Sequence, residues 1–324
     1  MIAAVVGMGS IGRRHARNLS KRVEMINCVD HAEFDAAGIE CDTIQYSPEK
    51  IEEAVQKSDL VVISTPHALH LDQMRTCLKY DKPFLVEKPI ASSTFGLEEL
   101  CRDAEDRGVV TQVGYNLRFH PTVEEVRTLL KFKRVGRILH SSFEYGSYLP
   151  NWRPGKNYKE NYASSREDGG ILLDDIHEID LACHLLGEPS FVQCVTTNTH
   201  TLGIPNEEIA DIVLARQAMC PTTSIHMDYL QRVPTRRFKI VGTEGTIEAD
   251  LIRYSLVVKK PDGEEEFDQL RDPNLMYQKE IDHFLQAVTE KRPDPSLTVR
   301  CGLKTLHIAL LARKAGRIRG WEKV

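Results

Sequence analysis

The chain has 324 residues, of which 41% are hydrophobic and 27% charged, with a formal net charge of −5. That balance excludes a disordered or fibrous chain, and the length suits two domains of roughly 100–200 residues each. The mild acidity leaves no global basic excess to hold a phosphate backbone, so nucleic acid is not an expected partner.

No run of about 18 apolar residues is present to span a bilayer, so no membrane partner is expected. The opening Met1-Ile-Ala-Ala-Val-Val-Gly7 lacks the basic start of a signal peptide. Eight cysteines (28, 41, 77, 101, 183, 194, 220 and 301) contain no C-x-x-C pair and read as reduced thiols. The expected compartment is the cytoplasm.

The first ~115 residues alternate short apolar runs with amphipathic segments, the rhythm of βαβ units around a parallel sheet. Strands are predicted at Ile2–Val6, Glu24–Val29, Thr43–Gln45, Leu60–Ile63, Phe84–Val86 and Val109–Val113, and helices near 11–20, 48–57, 68–79 and 93–107. Beyond Pro121 the rhythm changes: helix-like 122–131, strand-like 137–147, a loop, then a helical stretch at 170–186. From Phe191 to Lys260 strand-like runs follow one another with turn signals between them and no helices, which predicts a mostly antiparallel sheet. Helical patterns at 275–290 and 298–318 close the chain. The expected fold is α/β, with a Rossmann dinucleotide-binding domain over 1–120 and an α+β domain with an open antiparallel sheet over 121–324, serving substrate binding and oligomerisation.

Gly7-Met8-Gly9-Ser10-Ile11-Gly12 places G-x-G-x-x-G after a buried strand and at the mouth of a helix. In that context Gly7 permits the tight turn, Gly9 lets the backbone approach a pyrophosphate, and Gly12 lets helix and strand pack closely. Asp30 ends the second strand 23 residues after Gly7, where its carboxylate would accept hydrogen bonds from an adenosine ribose. The same charge repels a 2′-phosphate and favours NAD, while His31 beside it keeps NADP open.

Ser64-Thr65-Pro66 and Glu87-Lys88-Pro89 follow the fourth and fifth strands, at the carboxyl ends where open α/β sheets bind ligands. A lysine there can hold a substrate oxygen and stabilise charge developing on it; the same pattern also suits an exposed lysine before a turn proline. At 169–187 the pattern is helical, with Asp174, His177 and Asp180 three apart on one face. Two carboxylates flanking an imidazole would orient it and raise its pKa above ~6.5, suiting a general acid/base; a capping aspartate and a partly buried histidine give the same pattern. H-E-x-x-H is not completed, because Leu181 stands where the second histidine belongs, and no metal site is expected. Val241-Gly-Thr-Glu-Gly-Thr246 lacks the G-K-[ST] of a P-loop and reads as a hairpin turn. The basic runs at 131–134 and 313–319 read as solvated helix faces.

Together the Gly7–Gly12 loop, Thr65-Pro66 with His70, Glu87-Lys88-Pro89, and Gly169-Gly170 followed by His177 and Asp180 resemble the glucose-fructose oxidoreductase / inositol dehydrogenase / MocA family. The order and spacing run from residue 2 to about 190; downstream the resemblance is architectural. It implies hydride transfer at a carbinol carbon of a sugar, cyclitol or nucleotide sugar, with Lys88 holding the reacting oxygen, a cis Lys88-Pro89 bond and His177 moving the proton. Thr65, Pro66, His70 and Glu87 would border the cofactor, and Asn116 and Arg118 match a segment that reaches the nicotinamide or substrate.

One departure concerns the second carboxylate. Many members carry it four residues before the histidine, where this chain has Leu173, with Asp174 one place on. Trp152, Arg153, Tyr158 and Tyr162 resemble a branch tied to surface-polysaccharide and nonulosonate sugars; aromatic rings stack on sugars and Arg153 can pair with a carboxylate or phosphate. A loop anchored by its own aromatics is the alternative. A homo-oligomer, dimer or tetramer, is expected through the C-terminal sheet. Two further functions stay open: a lyase or glycosidase using bound NAD transiently, and a dinucleotide-binding sensor.

Overall fold

A computed structural model of the chain describes residues 1–153, 155, 157–160, 164–165, 169–216 and 221–324. Tyr162, expected at the substrate, and Cys220 lie outside the described residues. Two compact units form, one from residues 1–116 with 277–306 and one from 117–276 with 307–324.

In the first unit the elements run β1 (Ile2–Val6), α1 (Ser10–Leu19), β2 (Met25–Val29), β3 (Asp42–Tyr46), α2 (Ile51–Gln56), β4 (Leu60–Ile63), α3 (His70–Lys79), β5 (Phe84–Glu87), α4 (Leu97–Asp106) and β6 (Thr111–Gly114). The sheet order is β3-β2-β1-β4-β5-β6, every pair parallel. This is the doubly wound arrangement, in which the strand order reverses beside β1 and opens a crevice at the strand carboxyl ends. The central strands β1, β2, β4 and β5 are buried on both faces, which explains why they read as continuous apolar runs rather than alternating ones. The helix expected to begin at 93 begins at Leu97, since Gly96 before it has a left-handed φ of 74°.

The expected contiguous domains, 1–120 and 121–324, differ from the observed units at 117–120 and at 277–306. Helix α8 (Leu275–Glu290) carries Ile281, Phe284 and Ala287 on one stripe, and these join Ala3, Val5, Leu19 and Ile26 in a single core cluster. A parallel sheet needs both faces covered, and burying side chains the size of Phe284 and Ile281 contributes about 1.5–3 kcal/mol each. Helix α9 (Val299–Ile318) follows, its first residues in this unit and the remainder in the second.

The second unit begins with α5 (Pro121–Lys131), β7 (Ile138–Gly146), α6 (Ile171–Asp174) and α7 (His177–Leu186). Strands β8 (Phe191–Thr197), β9 (Ile209–Ala215), β10 (Thr222–Asp228), β11 (Thr235–Gly242), β12 (Thr246–Asp250), β13 (Ser255–Lys260) and β14 (Gly263–Phe267) follow. With β15 (Trp321–Lys323) they build a nine-stranded sheet, β14-β13-β12-β11-β7-β10-β9-β8-β15, antiparallel except for the β7–β10 pair. Alternating burial along β9 and β10 shows one covered face, against which α6 and α7 pack.

The expected unbroken helix over 170–186 is two helices. Asp175 leaves helical geometry (φ −110°, ψ 45°) and the backbone restarts at His177. The regular three-residue spacing between Asp174 and His177 is thereby lost, and only His177 and Asp180 share a helix.

Candidate functional site

The glycine loop is shaped by what its neighbours leave no room for. Gly7 adopts φ +89°, and a side chain there would meet the Ser64 backbone at 2.9 Å. A Cβ on Gly12 would lie 1.8 Å from the Gly7 carbonyl oxygen and 2.7 Å from Ser64 Oγ. Ser64 Oγ donates to that same carbonyl at 2.9 Å, locking the turn from the β4 side. At Gly9, by contrast, a Cβ would meet nothing within 4 Å, so the loop is open on that side only. The residues expected to cradle a pyrophosphate therefore fit one: open space over Gly9, beside the first-turn N–H groups of Ser10, Ile11 and Gly12 at the start of α1.

Asp30 accepts the Met8 N–H through Oδ2 at 2.6 Å and the Ala32 N–H through Oδ1 at 3.3 Å. Its carboxylate thus ties the glycine loop to the end of β2.

After β4, Thr65 Oγ1 donates to Gln73 Oε1 at 2.6 Å, and Pro66 opens a short 3₁₀ turn over His67–Leu69. His70, expected to border the cofactor, is buried; its ring nitrogens lie 2.9 Å from the Thr65 carbonyl and 3.0 Å from the Pro89 carbonyl. Burial lowers its pKa to about 4, and the neutral ring, with one N–H, donates to one of the two carbonyls and packs against the other. The Lys88-Pro89 bond is cis, as the family resemblance implies. Lys88 itself is half-buried, directly beyond β5. Glu87 turns inward, accepting from His15 Nε2 at 2.7 Å and from the Lys88 N–H at 3.3 Å. Asn116, expected near the nicotinamide, is buried at the last residue of this unit's first segment.

In the second unit His177 opens α7 and is 8% exposed. Asp174 accepts the Tyr229 phenol at 3.0 Å. Arg118, expected to reach the nicotinamide or substrate, pairs with Asp180 through Nε at 2.8 Å and a second guanidinium nitrogen at 2.5 Å, with both side chains buried. Trp152 stands edge-on to Tyr229, with ring centroids 5.5 Å apart, and to Tyr145 at 6.5 Å, and donates to Ser147 Oγ at 3.0 Å. Arg153 beside it is exposed.

Sequence reasoning missed Arg236, which pairs with Asp175 and, at 2.9 Å, with Glu178, and lies 4.2 Å from the Tyr145 ring centroid. Burial raises the Glu178 carboxyl, and Arg236 draws it back. Nothing local in β11 marks Arg236; the break after Asp174 that turns both acids toward it is a tertiary feature. His15 and Glu280 were missed as well, although Glu280 sits in the apolar stripe of α8, a signal that was legible.

Two family descriptions match this chain: "Oxidoreductase family, NAD-binding Rossmann fold" over residues 1–115, and "GFO/IDH/MocA C-terminal domain" over 123–248. The chain belongs to the glucose-fructose oxidoreductase / inositol dehydrogenase / MocA family. Like the family, it is an NAD(P)-dependent oxidoreductase with a Rossmann cofactor domain. An inositol 2-dehydrogenase of Mycolicibacterium smegmatis is 28% identical, over 77% of this chain and 73% of its own. A 2,7-anhydro-N-acetylneuraminate hydratase of Escherichia coli is 27% identical, over 76% and 67%. The fold matches a levoglucosan dehydrogenase solved in complex with NADH, with a TM-score of 0.88, 19% identity, and coverage of 100% of this chain and 99% of that one. Among the described residues no helix is long and apolar enough to cross a membrane.

Proposed function

We propose that the protein transfers a hydride between NAD and a carbinol carbon of a sugar, cyclitol or nucleotide sugar, with Lys88 holding the reacting oxygen and His177 exchanging its proton. The observation that carries this reading is the carboxyl edge of the parallel sheet, where the glycine cradle after β1, Thr65-Pro66 after β4 and Lys88 after β5 stand on adjacent strands. Bound NAD supplies the two-electron acceptor or donor. The Lys88 ammonium donates to the alcohol oxygen and stabilises the negative charge that develops there. His177 takes the alcohol proton during oxidation and returns it during reduction. Asp174 bonds the buried Tyr229, which packs edge-on against Trp152 and steadies that half-buried indole, the ring assigned to the sugar, and the exposed Arg153 suits a carboxylate or phosphate on the substrate. Tyr162, Asn116 and Arg118 complete the set assigned to substrate and cofactor, Arg118 acting from its pair with Asp180.

Asp30 assigns NAD in preference to NADP. We place the reaction in the cytoplasm, in keeping with the buried thiols Cys28, Cys77, Cys101 and Cys194, which form no disulfide. Assembly as a homo-oligomer is assigned to the nine-stranded sheet, where Phe191, Val195 and Trp321 share a face and are 41%, 60% and 49% exposed.

The test is turnover of a panel of cyclitols and sugars with NAD, read as NADH formation. Lys88→Met and His177→Asn are expected to lower kcat by about 10²–10⁴-fold while NADH binding persists. Wild-type protein that binds NADH but turns over no member of the panel would sink the sugar-alcohol assignment. The hydratase relative supports a second reading, elimination with NAD regenerated each cycle; product detected by mass spectrometry without accumulating NADH would select it.

A further inference from the structure

Beneath the Lys88 turn lies a cluster that the reaction above leaves unused. His15 from α1, Glu87 from the end of β5 and Glu280 from α8 place a ring nitrogen and two carboxylate oxygens within 4.8 Å of one another. Glu280 is 0% exposed, and neither of its oxygens has a hydrogen-bond partner. A buried ionised carboxylate without a cation or donors is among the costliest arrangements a core can hold. Among the described residues no cation is bonded to either Glu280 oxygen. Glu87 and His15 bond each other, Tyr277 meets the His15 ring edge-on, Arg14 stands over the Tyr277 ring at 4.4 Å, and His283 is bonded to Gln112 and paired with Asp294. A metal ion fits poorly: the 2.7 Å between His15 Nε2 and Glu87 Oε1 is a hydrogen-bond distance, whereas two ligands on one ion with bonds of about 2.0–2.2 Å stand farther apart.

We propose that Glu280 is a positioning residue that carries a proton and shares it with Glu87, directly or through one water, tying the cofactor helix α1 and the Lys88 turn to α8. Glu87 is the acceptor of the Lys88 backbone N–H, so the proton on Glu280 fixes the carboxylate that in turn fixes the lysine. Burial first, and the nearby Glu87 second, hold the Glu280 carboxyl well above the ordinary glutamate range, in agreement with this assignment. The inference takes from the proposed function only the role of Lys88. Its main readouts need no substrate, so a protein that oxidises no sugar would overturn that role and leave the proton on Glu280 standing.

The experiment compares the full chain with Glu280→Gln and Glu280→Ala. An acid with a raised folded pKa binds more protons folded than unfolded, so wild-type stability falls as pH rises above the unfolded value of about 4.5. Glu280→Gln keeps a donor and cannot ionise. Its Tm is therefore expected to match wild type near pH 5 and to exceed it progressively toward pH 8; an equal offset at every pH would overturn the proposal. Infrared spectra of folded wild-type protein at neutral pH should show a protonated carboxylic acid stretch, part of which is lost in Glu280→Gln, the remainder belonging to other buried acids such as Glu178. Absence of that band in the wild type overturns the proposal without any variant having to fold. NADH titration should find Glu280→Ala weakened by roughly tenfold, equivalent to ~1.4 kcal/mol, with Glu280→Gln restored to near wild type. Equal loss in both would deny the shared proton, and a divalent metal held by wild type but not by Glu280→Gln would replace it.

Discussion

In the first unit the glycine loop is held by main-chain geometry, whereas in the second the helix that begins at His177 is held by paired charges. Gly7, Gly12 and the Ser64 hydroxyl leave the loop one conformation and one open side, and no charge balance is involved. Around α7, Arg118 pairs with Asp180 out of reach of water, and the partly exposed Arg236 pairs with the buried Asp175 and Glu178. A backbone site tolerates changes of pH and salt; a site built on buried ion pairs depends on every partner being present.

The comparison can be broken in descending order of effect. Arg118→Met leaves Asp180 buried and uncompensated and should cost about 3–5 kcal/mol in denaturant unfolding, much of it recovered in the Arg118→Met/Asp180→Leu double variant. If the single and double variants are equally damaged, the pair is packing rather than charge. In the first unit, Gly12→Ala should lose about 1–3 kcal/mol from strain against the Gly7 carbonyl, and NADH affinity with it. Gly9→Ala should leave stability within about 0.5 kcal/mol, since its Cβ meets nothing, yet still weaken NADH binding. A Gly9→Ala protein that binds NADH like wild type would move the pyrophosphate elsewhere.

The smallest expected effect lies on the nine-stranded sheet, where Asp228 and Asp211 raise the His226 pKa to about 9. A raised imidazole stabilises fully below its unfolded value of about 6.5, and that contribution fades as pH climbs through 9. The ring is 39% exposed, so solvent screening keeps the contribution below ~1 kcal/mol. His226→Gln should flatten this part of the wild-type stability curve, and an unchanged slope would remove His226 from the account.

Local pattern alone placed the parallel strands to within two residues, the glycine loop, Asp30 and the Lys88 turn, because continuous apolar runs, glycines and prolines impose their geometry over a few residues. The antiparallel sheet was legible for the same reason. The return of α8 to the first unit was not, since its apolar stripe demands a partner without naming one. The break after Asp174, the bracing role of His70 and the capture of Arg118 by Asp180 were likewise invisible. Each depends on which distant group fills a buried space, and it is the tertiary fold that brings residues 118 and 180, or 15, 87 and 280, to a few ångströms of one another.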